Sequence, residues 1–224
     1  MEIRQVDTRE RILDAAERLF MEQGYDGTSM LQITSGAAVN LAAVNYHFGS
    51  KGALMQEVFR RRLAWLNEER LRVLDEMESA AAGKPLKPSQ IVDGFFGTLL
   101  RMAENQQHGG VTFLRLLGRT LTDPSEFIRT FMAHEYGAVV ERYKEALFKA
   151  LPDVPKAEIV WRFHFMLGAT SYAIAGTDGL RLVTDWQIEP EDSIDRIDRL
   201  LPRLLSFLLG GLRAPLPQFA PIEH

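Results

Sequence analysis

A chain of 224 residues, 46% of them apolar, is long enough to bury a substantial core. It has no cysteine, which excludes disulfides, thiolate catalysis and thiolate metal sites, and no apolar run approaches the roughly 20 residues that cross a bilayer. Its net charge of −4 argues against broad, nonspecific nucleic-acid binding, yet residues 28–62 hold Lys51, Arg60, Arg61 and Arg62 against Glu57 alone, a local +3 that suits a short specific contact. The segment Met1 to Asp7 is polar and lacks the apolar centre of a signal peptide, so a cytoplasmic protein with no membrane partner is expected.

The first helix opens on Asp7 and Glu10 at the spacing of a capping box, buries Ile12, Ala16, Leu19 and Phe20, and ends at Gly24. Thr28 is the expected cap of a short second helix, with Met30, Leu31 and Ile33 turned inward. Val39 and Asn40 form a turn, Asn40 caps a third helix, and Val44 and Phe48 pack that helix back onto the first two. Gly49-Ser50 breaks the chain, and Ser50 caps a long fourth helix running to about Glu78. Residues 80–88 read as a loop.

Beyond the loop the helical period continues. Ile91, Phe95, Leu99 and Met102 form one stripe, and Phe113, Leu114, Leu117 and Leu121 another. Asp123-Pro124-Ser125-Glu126 reads as a second capping box, opening a helix with Ile128, Met132, Val139, Tyr143 and Leu147. Pro152 and Pro155 precede a helix that is apolar nearly all round, from Ile159 to about Ala175. A last helix runs from near Pro190 to Gly210, with Pro202 expected to bend it. No alternating strand pattern stands out, so the fold class is all-α, with roughly nine helices.

Residues 28–51 carry the functional signal. Two short helices joined by a tight turn make a helix-turn-helix, whose second helix enters the major groove. Its expected outward face is Asn40, Ala42, Ala43, Asn45, Tyr46 and His47, in which small residues permit close approach and polar ones bond to bases and phosphates. Double-stranded DNA is the expected partner.

Arg11-Ile12-Leu13-Asp14-Ala15-Ala16, Leu19-Phe20, Gly24-Tyr25, Thr28-Ser29, Val39-Asn40 and Tyr46-His47-Phe48-Gly49-Ser50-Lys51-Gly52-Ala53-Leu54 together resemble the TetR family of bacterial transcription regulators. The resemblance covers about the first 55 residues. It implies a three-helix DNA-binding domain (1–52), a larger helical ligand-binding and dimerisation domain (53–213) and a tail (214–224). It further implies that Thr28 presents its amide to a phosphate, that Tyr46, His47 and Lys51 contact phosphates, and that Asn40, Leu41, Ala42 and Asn45 face the groove. Ala38 departs from the family, which commonly has glycine there. Trp161 to Ala169 and Phe113 to Gly118, with the third helix, are similar to the PsrA-type branch, which responds to long-chain fatty acids or their derivatives. That implies a ligand-responsive repressor released by a fatty acid or acyl-CoA; a regulator of an efflux or other operon sensing a different hydrophobic molecule is the alternative.

Phe95, Leu99, Met102, Phe113, Leu117, Met132, Trp161 and Phe165 are the candidate lining of an apolar cavity, although any one of them serves equally as plain core. Arg115, Arg119, Arg162 and His164 are candidate head-group donors. Ile194, Ile197, Leu201, Leu204 and Leu208 recur at 3-4 spacing, as in a helix pair. The same spacing suits an intramolecular seam; the need of a helix-turn-helix to read a palindrome favours a homodimer interface. His47, His108, His134, His164 and His224 show neither metal-ligand spacing nor a partner nucleophile, so no metal, cofactor or enzymatic activity is expected.

Overall fold

Asp7 opens helix α1 (Thr8–Gly27), its carboxylate accepting from the Arg9 amide. The expected capping box does not close: Glu10 is drawn instead to Arg61 of the fourth helix, because a guanidinium is the stronger partner. Gly24, at φ 75°, breaks the helical geometry where a stop is expected, and the chain makes one more turn before leaving. The computed structural model describes residues 7–122, 126–176 and 196–218. Asp123 to Ser125 of the second capping box, Ile194, the start of the last helix near Pro190 and the end of the tail lie outside them.

Helix α2 (Met30–Ala37) and α3 (Leu41–Phe48) follow, then α4 (Lys51–Ala81), with Ser50 as cap. At 31 residues α4 spans about 46 Å, long enough to run from the first three helices through the rest of the fold. Its buried residues Phe59, Leu63, Leu66 and Leu74 form one stripe, and α1 and a later helix (Glu126–Ala150) pack along α4.

Helix α5 (Pro88–Val92) passes through a π-turn (Asp93–Gly97) into α6 (Thr98–Arg101), and short 3-10 turns lead to α7 (Gly110–Thr122). Helices α8 (Glu126–Ala150), α9 (Lys156–Ala175) and α10 (Ile197–Leu212) complete the described chain. No strand occurs among the described residues, and the fold is all-α. Helices α7 and α9 meet at Gly118, where a Cβ would stand 2.5 Å from the Ala175 backbone nitrogen. Only a glycine lets the two backbones lie so close.

Candidate functional site

Helix α2 is capped by Ser29, not by Thr28: the Ser29 hydroxyl accepts from the Gln32 amide, and the Gln32 side chain accepts from the Ser29 amide. Thr28 ends α1. It is buried, its hydroxyl donates to the carbonyls of Leu19 and Gly24, and its amide is bonded to the Tyr25 carbonyl, so neither group is turned outward for a phosphate. Within α2, Ile33, Thr34 and Ala37 face the core, whereas Leu31, expected inside, is exposed.

The turn to α3 rests on Ala38, which adopts the left-handed conformation at φ 51° and ψ 50°. Arg11 braces it from α1, donating to the carbonyls of Ala37 and Ala38 at 2.5 and 2.7 Å. Those carbonyls end α2 and need donors. Sequence reasoning gave Arg11 no such role. Asn40 caps α3, accepting from the Ala43 amide at 2.9 Å. Val44 and Phe48 are buried, which leaves Asn40, Leu41, Ala42, Asn45 and Tyr46 on the outer face, with Ala43 and His47 at its margin. Tyr46 is 86% exposed, its ring edge-to-face with His47. Lys51 instead turns back: its ammonium donates to the carbonyls of Tyr25 and Thr28 at 2.8 and 3.1 Å and lies over the Tyr25 ring. It ties the end of α1 to the start of α4.

The local positive patch is compensated internally. Arg60 pairs with Glu57 and Glu135; Arg61 with Glu10, Asp14 and Glu17; Arg62 with Glu17 and the Gln107 carbonyl. Apart from Glu57, on α4 itself, these acids are on α1 and α8, outside residues 28–62. Arg61 and Arg62 join α1 to α4, and Arg60 joins α4 to α8, rather than projecting toward a partner.

A cavity of about 360 Å³ opens among α4, α7, α8, α9 and the π-turn. Four of the candidate lining residues, Phe95, Leu99, Leu117 and Met132, are in its wall, as is His164, a candidate head-group donor. Met102 and Phe113 are core residues that do not reach it, and Arg115 is not in its wall. Trp161 and Phe165 are 58% and 65% exposed, on the outer face of α9, so they are not cavity residues at all. Arg162 and Arg119 are engaged elsewhere: Arg162 with Glu158 and the carbonyls of Leu212 and Pro215, Arg119 with the Met21 carbonyl. The wall includes Arg70, Tyr136 and Thr170, which sequence reasoning missed. Arg70 sits four residues from both Leu66 and Leu74, a charge within an apolar helical stripe, and that was the available signal.

Two family models match the chain. Residues 12–58 match the bacterial regulatory proteins of the tetR family, and residues 93–211, more than half of the chain, match the tetracyclin repressor-like C-terminal domain. The chain belongs to the TetR family. YttP of Bacillus subtilis (strain 168), a probable HTH-type transcriptional regulator, is 40% identical over 53 residues, 24% of this chain and 26% of that protein. AcrR of Shigella flexneri, an HTH-type transcriptional regulator, is 36% identical over 81 residues, 36% of this chain and 35% of AcrR. The chain thus matches about a quarter to a third of the length of these relatives. A transcriptional regulator from Aquifex aeolicus VF5 superposes with a TM-score of 0.52 at 25% identity, over 92% of this chain and 98% of that one. A Clostridium perfringens protein described as a fatty acid metabolism regulator gives 0.51 at 15% identity, over 93% and 100%, which shows the fold alone.

In this TetR-family chain the expected dimer seam is turned inward. Ile197, Leu204 and Leu208 are buried in the chain's own core and Leu201 is half-buried, so the 3-4 spacing serves an intramolecular seam. The outward faces of α9 and α10 carry other apolar side chains: Trp161, Phe165 and Tyr172 on α9, and Phe207, 68% exposed, on α10.

Proposed function

We propose that this chain is a homodimeric transcriptional repressor that binds a palindromic operator through α3 and leaves it when a hydrophobic small molecule enters the cavity. The carrying observation is the division of α3: Val44 and Phe48 hold it to the core while Asn40, Leu41, Ala42, Asn45 and Tyr46 stand outward. Asn45 can pair with an adenine edge, and Tyr46 and His47 can reach phosphates. Ser29, exposed at the start of α2, replaces Thr28 as the expected phosphate contact there.

Exposed Trp161, Phe165, Tyr172 and Phe207 support dimerisation, because aromatic side chains so far out of the core gain most from a second copy. Two recognition helices would then reach successive major grooves, about 34–36 Å apart. Helix α4 starts at the helix-turn-helix and borders the cavity through Arg70, so a ligand that shifts it alters that spacing. The PsrA-type resemblance favours a fatty acid or acyl-CoA as effector. Within the alternative, a regulator of an efflux or other operon sensing a different hydrophobic molecule, a cationic effector is disfavoured: no Asp or Glu is among the described residues lining the cavity.

The test is fluorescence anisotropy on DNA from upstream of the chain's own gene, and on a pool selected from random sequence. Saturable binding that Asn45→Ala weakens by about 1–3 kcal/mol, and Tyr46→Ala weakens without loss of helicity, is expected. Binding indifferent to both changes would reject α3 as the reading element. Phe165→Glu with Phe207→Glu should convert a dimer to a monomer in sedimentation.

A further inference from the structure

Arg70 is 1% exposed, inside the apolar stripe of α4. Its Nε donates to the Phe95 carbonyl, within the π-turn, at 2.9 Å, and its charge lies 3.8 Å from the centre of the Phe95 ring and 5.6 Å from that of Tyr136. π-turns recur where a helix has been adapted to a functional group. Nη1 is buried and has no hydrogen-bond partner. No carboxylate among the described residues pairs with this guanidinium, whereas Arg61, Arg62, Arg101, Arg142 and Arg162 each have one. Burial accordingly pushes the Arg70 pKa below its ordinary value. A second orphan lines the same cavity: the Thr170 hydroxyl, also buried without a partner.

A buried guanidinium without a counter-ion is costly, and an arriving anion removes that cost while gaining charge-assisted hydrogen bonds. We propose that the cavity takes a monocarboxylic acid with an apolar body, its carboxylate on Arg70 Nη1 with the Thr170 hydroxyl as second donor, and its hydrocarbon along Leu99, Leu117, Met132 and Leu167. The inference rests on reading the cavity as the effector site and names the effector's chemistry. It selects the free acid over its thioester, which has no anion at the acyl end. The volume agrees: about 360 Å³ is near the lower end of the roughly 300–1,000 Å³ of small-molecule pockets, too little for an acyl chain and a nucleotide head group together.

The experiment measures binding of dodecanoate, dodecan-1-ol, methyl dodecanoate and dodecylamine to the full chain by calorimetry. It compares the unsubstituted chain with Arg70→Met and Thr170→Val, and follows operator release by anisotropy in parallel. The acid should bind about 10- to 100-fold more tightly than the alcohol. Arg70→Met should abolish that preference, Thr170→Val should reduce it, and unliganded Arg70→Met should melt no lower than the parent. Equal binding of acid and alcohol, tighter binding of the amine, no binding of the acid, or a preference that survives Arg70→Met would each overturn the inference. Because the acid–alcohol comparison is made first on the unsubstituted chain, it decides even if Arg70→Met fails to fold. Operator release by the alcohol alone keeps the effector reading and rejects the carboxylate site. Selective acid binding with no effect on the operator does the reverse.

Discussion

Glu17 offers the sharpest test of how α1 is fastened to α4. Its buried carboxylate accepts from Arg61 Nη2 at 2.5 Å, from Arg62 Nη2 at 2.8 Å and from Arg62 Nε. Glu17→Ala leaves two largely covered guanidinium groups short of a partner. Breaking a buried pair from one side costs about 3–5 kcal/mol. Arg61 keeps Glu10 and Asp14, and Arg62 keeps the Gln107 carbonyl, so the lower figure, about 3 kcal/mol, applies. At about 2–4 °C per kcal/mol for a chain of this length, the melting temperature should fall by about 6–12 °C. Far-ultraviolet circular dichroism reads the transition, and a double-mutant cycle with Arg62→Ala isolates the coupling, expected at about 0.5–3 kcal/mol. A fall of less than about 2 °C, or strict additivity, would show that the ion network is not what joins these helices.

Ala38→Gly should stabilise the chain. Relieving a left-handed alanine returns about 1–2 kcal/mol and added backbone entropy takes back about 0.5–1, a net gain of about 0.5–1 kcal/mol in urea unfolding; a loss would mean the turn is not strained. Gly118→Ala should cost about 2 kcal/mol by the same measurement, because overpacking against the Ala175 backbone (up to about 3) exceeds the gain in helix propensity (about 1). His108 stacks on Trp65 at 4.1 Å, and burial followed by the Arg62 charge holds its pKa below 6.5. Acid quenching of Trp65 fluorescence should therefore have its midpoint below 6.5 and vanish in His108→Gln, whereas a midpoint at or above 6.5 would refute the assignment. With the folded pKa depressed, the contribution of this histidine to stability is complete above 6.5 and is lost as pH falls through the folded value.

Local patterns were legible wherever the physics is local. Ser50 and Asn40 as caps, Gly24 as a break, Val44 and Phe48 as anchors and the buried stripe of α8 all depend on neighbours a few residues away. Errors came where a side chain had a choice between a local and a distant partner. Glu10 could close a box with Asp7 but met Arg61, 51 residues on. Lys51 could stand free in a first turn but met the carbonyls at the end of α1. Thr28 and Ser29 are adjacent hydroxyl residues, and only the packing of α1 decides which one caps. Helix α9 is apolar nearly all round, so its sequence could not say which aromatics face the cavity; Phe163 packs inward while Trp161 and Phe165 point out. Arg70 was readable as a charge in an apolar stripe, but its lack of a counter-ion is a property of everything around it.

The pairing of Arg60, Arg61 and Arg62 with acids of the same chain bears on how such a protein searches a genome. Each cation placed on a phosphate contributes nearly one unit to the salt dependence of binding and the same increment to affinity for any sequence. Arginines already matched internally contribute little to either. The chain would then adhere only weakly to the great excess of irrelevant DNA, so that a larger share of its copies stays in solution and a modest number of molecules suffices to keep a single operator occupied.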